Sequence, residues 1–217
     1  MTVRALMTVL LLSVLATAQD ETPVRPLKAG DPVPANFRAF VAADERFEKG
    51  SPRNRISKMH DLVTDNGLNP VVVVFSRQDT APDKAATDQP VAKATSALAS
   101  ELSRLVTKYK PDRLGAFVNF ITLDKEYQEQ ENRDPKAIAT AALSAQLQTG
   151  NVPFTLAAKK SANTAAWGLD DKADITVVYY DRMVVKNVWT FAADKPPTAE
   201  DIKAIAAAVE TDLKPKK

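Results

Sequence analysis

Val71-Val72-Val73-Val74-Phe75 runs directly into Ser76-Arg77-Gln78-Asp79-Thr80-Ala81-Pro82-Asp83-Lys84. Four valines and a phenylalanine in a row match a strand buried on both faces, which belongs at the centre of a sheet beside parallel neighbours. Downstream, Ala94, Leu98, Leu102, Leu105 and Tyr109 recur at helical spacing and Pro111 lies just beyond, so a helix spans Val91 to Tyr109. Ala116 to Leu123 is a second β-type run. Asp134-Pro135 reads as an N-cap followed by proline at the first helical position, with Gly150 as the stop. Val152 to Ala157 is a third strand, and Ile175 to Tyr180 with Met183 to Trp189 form a hairpin turning at Asp181-Arg182. A last helix starts from a Thr198 cap and places Ile202, Ile205, Val209 and Leu213 on one face. Upstream, Ala42 to Leu68 is a charged insertion with one short helix around Ile56 to Val63. The alternation of strands and helices is that of an α/β domain.

Composition fits one domain: 217 residues are 45% hydrophobic, enough apolar material for a single core. Lys plus Arg number 29 against 27 Asp plus Glu, and the +2 balance gives no electrostatic reason to expect nucleic acid or an acidic surface as partner. At the start, Arg4, the apolar run Leu6 to Leu15 and Ala16-Thr17-Ala18 before Gln19 make a secretory signal over residues 1–18, so the chain is expected to be exported, periplasmic or extracellular. The apolar run is shorter than the ~20 residues of a spanning helix, so no membrane span is expected after cleavage. Residues 19–30, with Pro23 and Pro26, read as a polar linker, 31–213 as the domain, and 214–217 as a basic tail carrying Lys214, Lys216 and Lys217. The chain has no cysteine, so packing without disulfides must hold an exported domain together.

Four blocks, in order, carry a resemblance. Gly30-Asp31-Pro32-Val33-Pro34-Ala35-Asn36-Phe37 resembles the Gly-x-x-x-Pro-x-x-Phe opening of peroxiredoxins. Phe75 to Lys84 resembles, position for position, the thioredoxin turn Phe-Trp-Ala-Glu-Trp-Cys-Gly-Pro-Cys-Lys, with Thr80 and Asp83 in place of the two thiols. Val152-Pro153-Phe154, and the Trp167 to Phe191 region with its Trp167-Gly168 pair, resemble the later strands of the peroxiredoxin arrangement. The chain is thus similar to the thioredoxin-like superfamily, which implies an α/β fold with a central mixed sheet flanked by helices on both faces. Two departures bear on function. Thr80-Ala81-Pro82-Asp83 keeps the peroxiredoxin threonine and spacing but has a carboxylate where the sulfur belongs, and Ala173-Asp174-Ile175 has no proline where thioredoxins place one.

A carboxylate cannot attack a disulfide or form a sulfenic acid, so thiol–disulfide and peroxidase turnover are excluded for a chain without cysteine. Thr80 and Asp83 fit a capping-box variant at a helix start; alternatively the helix starts near Asp88, leaving Thr80 to Gln89 as a loop. Asp79, Asp83 and Asp88 are three carboxylates within ten residues, but no glycine stands in the middle and no glutamate closes the run, unlike a calcium loop. His60, the only histidine, lies between Met59 and Asp61 and can build neither a multi-histidine zinc site nor a catalytic triad. Trp167 and Trp189 read as core aromatics, and the charged stretch Asp124 to Asp134 as a solvated loop around Tyr127. The expected function is a redox-inert thioredoxin-like protein with a protein-binding or structural role, needing no cofactor or metal, whose partner is another exported protein. The alternative is a non-redox enzyme using Asp83, Asp79 or His60 as acid or base.

Overall fold

Within residues 25–34, 37–77, 89–122, 127 and 129–214, which a computed structural model describes, the elements are β1 (Arg38–Ala43), β2 (Met59–Asp61), α1 (Leu62–Asn66), β3 (Val71–Ser76), α2 (Pro90–Lys108), β4 (Gly115–Thr122), α3 (Gln130–Leu147), β5 (Phe154–Ala158), α4 (Ala162–Ala166), β6 (Ile175–Asp181), β7 (Val184–Phe191) and α5 (Ala199–Leu213). They form one seven-stranded mixed sheet in the order β2-β1-β5-β4-β3-β6-β7. β3 is the hub: all six of its residues are buried. It pairs in parallel with β4, Val71 opposite Gly115 through Ser76 opposite Phe120, and antiparallel with β6, Val71 opposite Tyr180 through Ser76 opposite Ile175. The expected parallel neighbour is thus present on one side only, because a hairpin occupies the other.

The chain steps from β3 to β4 to β5 in one direction. Two crossovers of the same hand advancing the same way put both connecting helices on one face, and α2 and α3 lie there together with α5. Leu98, Leu102 and Leu105 of α2, with Ile202, Ile205 and Val209 of α5, cover Val72 and Val74 on that face. Among the described residues, the helices on the opposite face are the one-turn α1 and α4, and large rings fill that face. Phe37, Phe75 and Trp167 pack with centroids 5.0–5.7 Å apart, and Leu62, Val63, Val71, Val73, Phe117 and Tyr180 surround them.

Several expected boundaries move, each for a local reason. The helix placed around Ile56 to Val63 begins only at Leu62: Asp61 accepts hydrogen bonds from the amides of Val63 and Thr64 and fixes the start, while Met59–Asp61 is a strand paired with Arg38–Phe40. α3 does not begin at Asp134. It opens at Gln130, where the Glu129 carbonyl accepts from the amides of Asn132 and Arg133, and Pro135 sits inside it. Proline there removes one intrahelical bond, while the turn it interrupts is anchored by the Arg133 guanidinium 4.6 Å over the Phe40 ring. The helix ends on Gln148 in the left-handed region, two residues before Gly150. The hairpin turns at Arg182-Met183, at φ 51° and 61°, since a tight two-residue turn needs positive φ at both central positions. The last helix starts as read, from Thr198, whose hydroxyl accepts from the Asp201 amide while the Asp201 carboxylate accepts from the Thr198 amide.

Residues 25–30, expected as the end of a linker, lie against the domain. Arg25 grips Asp31 with two bonds of 2.7 Å, and the Lys28 amide adds a third at 2.9 Å. Gly30 and Val33 then donate to the carbonyls of Val185 and Met183, and Val185 donates back to Asp31, which seals the start of β7. This strap crosses Gly168, which has φ +53° and where a Cβ would fall inside contact distance of the Arg25 carbonyl oxygen. Gly168→Ala is therefore expected to cost about 1–3 kcal/mol and to expose the Arg25 region to protease, read by denaturant unfolding and limited digestion.

The Asp31 carboxyl is held down to about 2, first by its hydrogen bonds with Arg25 and then by the Lys28 amide. A depressed folded value stabilises above the unfolded value of ~3.9, and that contribution is lost as pH falls towards about 2. Asp31→Asn should flatten this part of the acid limb in a pH series of unfolding midpoints.

Candidate functional site

The carboxyl ends of parallel strands are where open α/β sheets place ligands, and here three chain segments meet at those ends. Arg77 follows β3 directly, Lys159 and Lys160 follow β5, and the Gly168–Asp171 stretch follows α4. Together with Pro26, Thr164 and Ala165 they line a cleft of about 710 Å3. α4 is set by Ser161, whose Oγ accepts from the Thr164 amide at 3.1 Å, and by Thr164, whose hydroxyl donates to the Ala158 carbonyl at 2.8 Å. The Lys159 amide donates to the Thr122 carbonyl, so the turn after β5 continues the sheet by one bond.

Arg77 ties the cleft together. Its amide donates to the Asp174 carbonyl at 2.8 Å, Nε to the Ala173 carbonyl at 2.9 Å, and Nη2 to the Asp170 carbonyl at 3.1 Å. One side chain thereby fixes the loop before β6 against the end of β3, at the place where Ala173-Asp174-Ile175 carries no proline. Asp170 turns its carboxylate back onto the Lys172 amide at 2.9 Å. Asp171 reaches outward, with Oδ1 3.5 Å from Arg77 Nη2 and 3.6 Å from Lys159 Nζ. Just inside, the buried Ser76 and Thr95 hydroxyls lie 2.9 Å apart, and Thr95 donates to the Val91 carbonyl, which pins the start of α2 to the end of β3.

The residues singled out from sequence fare differently. Thr80, Ala81, Pro82 and Asp83, like Asp79 and Asp88, lie outside the described residues, as do residues 1–18, Asp124, Lys216 and Lys217. α2 opens at Pro90 after an extended Gln89, and the cap read at Thr80 and Asp83 lies outside the described residues. His60 sits on the edge strand β2 with Nε2 2.5 Å from Asp65 Oδ2, not paired with Asp61, and it lines neither this cleft nor the groove between α2 and α5. Trp167 is core, 1% exposed, whereas Trp189 on β7 is half-buried. Burial, and for Tyr179 the Asp212 carboxylate that its hydroxyl meets at 2.9 Å, pushes the Tyr179 and Tyr180 phenols up, so both stay protonated donors near neutrality. No group of three potential metal ligands occurs among the described residues, and none of their helices is long and apolar enough to cross a membrane.

Sequence reading passed over Arg77 and Lys159. The available cue was position: each is the first cation after a run of apolar β positions, at the strand ends where an α/β sheet opens.

No protein-family model and no curated protein matches the chain. Solved structures do. An uncharacterized conserved protein from Geobacillus kaustophilus aligns at 15% identity over 87% of this chain and 86% of its own, with a TM-score of 0.53. A yeast mitochondrial 1-Cys peroxiredoxin aligns at 13% identity over 86% and 78%, TM-score 0.51. A bacterioferritin comigratory protein of Xanthomonas campestris, studied for alkyl peroxide reduction, aligns at 11% identity over 86% and 99%, TM-score 0.51. At these identities the likeness is one of fold.

Truncating Arg77 removes two bonds from a cation to carbonyls of the loop before β6. Arg77→Ala is expected to cost about 1.5–3 kcal/mol and to speed amide exchange in residues 170–174, measured by hydrogen exchange; Arg77→Lys should restore only part of the loss, lacking the fork.

Proposed function

We propose that this chain, which has a thioredoxin-like fold and no cysteine, is an exported, redox-inert binding protein that uses the cleft at the carboxyl ends of β3 and β5 to hold another protein. One observation carries the reading. The strand ends that position reactive groups in α/β folds here frame a polar cleft of about 710 Å3 whose loop is locked by Arg77, while the chain has no thiol to react. A cleft of that size and lining is suited to holding a ligand group. Export is supported by Arg4, Leu6 to Leu15 and Ala16-Thr17-Ala18.

The peroxiredoxins among the structural neighbours reduce peroxides through cysteine, and that step has no sulfur to run on here. Of the acid–base candidates, His60 faces Asp65 at the sheet edge, away from the cleft, while Asp79 and Asp83 lie outside the described residues.

The test pairs an activity assay with site-directed crosslinking in the producing cells. Purified protein from the exported fraction, with Gln19 as its first residue by mass spectrometry, should leave disulfide reduction and peroxide consumption at the blank rate once thiol contaminants are removed. A photo-crosslinking residue at Ala165, in the cleft, should trap one discrete protein, and the same residue at Ala207, exposed on α5, should not. Turnover above the blank, or equal trapping from both positions, would overturn the reading.

A further inference from the structure

Asp171 is a surface carboxylate, its side chain 82% accessible, that stands between two cations without closing a hydrogen bond to either: 3.5 Å from Arg77 Nη2 and 3.6 Å from Lys159 Nζ. Charge-assisted bonds of this type settle at 2.7–2.9 Å when nothing opposes them. The two cations differ. Arg77 is only 15% accessible and its guanidinium is held by the carbonyls of Ala173 and Asp170, which orient it but do not neutralise it. Lys159 is 43% accessible, and among the described residues its carboxylate partner is Asp171. Lys160 also lines the cleft, and Asp170 is turned away onto its own loop. The remaining wall is apolar, from Pro26, Ala165 and Leu169.

We propose that the cleft is an anion site that takes the carboxylate of an acidic peptide segment, with Asp171 as the resident carboxylate that the incoming one replaces between Arg77 and Lys159. The inference rests on the binding reading above and names its partner's chemistry. A carboxylate is favoured over a phosphate because a carboxylate is what the two cations already share. A peptide is favoured over a free ion because the cleft is far larger than one carboxylate and has an apolar wall for the neighbouring side chain. Near-neutral net charge does not oppose this, since the attraction is local to Arg77 and Lys159.

The experiment titrates the full mature chain with an N-acetylated, C-amidated peptide carrying one glutamate beside one leucine, following the amide signals of Lys159, Thr164, Gly168 and Asp171. Two control arms are the same peptide with glutamine for glutamate, and inorganic phosphate. Saturable shifts with the glutamate peptide alone, weakened by added salt, are expected. Lys159→Gln should weaken binding and Asp171→Asn should tighten it, each about two- to fivefold, the range of an exposed ion pair; both side chains are accessible, so the variants keep the fold, with amide signals shifted only around the substituted residue. Equal binding of the glutamine peptide, phosphate acting at lower concentration than the peptide, or no tightening in Asp171→Asn would each overturn the proposal. A protein trapped from Ala165 together with indifference to the glutamate peptide would sink this inference and leave the binding function standing. The reverse pattern would sink the protein-binding reading and leave the carboxylate site.

Discussion

The burial of β3 is the constraint on which the rest of the structure depends. Six consecutive residues lose all contact with water on both faces, a gain of order 25 cal/mol per Å2 of apolar surface that exists only if both faces are roofed. One roof is conventional, the leucine stripe of α2 with the isoleucines of α5. The other, among the described residues, has no long helix and is built on Phe37, Phe75 and Trp167 meeting at ring distances. Without a disulfide anywhere, this thinner roof has only side-chain packing and the Arg25–Asp31 strap to hold it in place.

What could be read from sequence divides by the range of the interactions. β3, β4, α2 and α5 were legible because their cues are local: an unbroken β-branched run, a helical stripe, a Thr198 cap with Asp201 three residues on. The mixed sheet and the thioredoxin-like order followed from the sequence of these blocks. β2 was hidden because three residues carry too little pattern, and its existence depends on pairing with Arg38–Phe40 across the insertion. Asp134-Pro135 misled because a strong local cap was outweighed by a distant contact, Arg133 over Phe40. The cleft was the least legible part. Its organising bonds join Arg77 to Asp170 and Ala173, residues more than ninety positions away, and no period or motif announces such a bond.

The same strand ends set a chemical limit on this chain. A thiol site needs a low-pKa sulfur in a positive setting. Here cations stand at the ends of β3 and β5 beside the chain's own aspartates, and the Arg77 side chain donates to the carbonyls of Ala173 and Asp170. Arg77 thus both fixes the loop before β6 and contributes positive charge to the cleft, so a substitution there changes both at once.

The strap has a temporal consequence. Gly30 and Val33 find their partners at Met183 and Val185, about 150 residues further along the chain. Synthesis runs from the N-terminus, so the segment holding Gly30 and Val33 has nowhere to dock until the last strand, β7, has begun to emerge. Contacts of such long sequence separation slow folding because loop closure comes before the reward. The early segment is therefore left undocked until Met183 and Val185 have been made, and its closure joins the two ends of the sheet's construction.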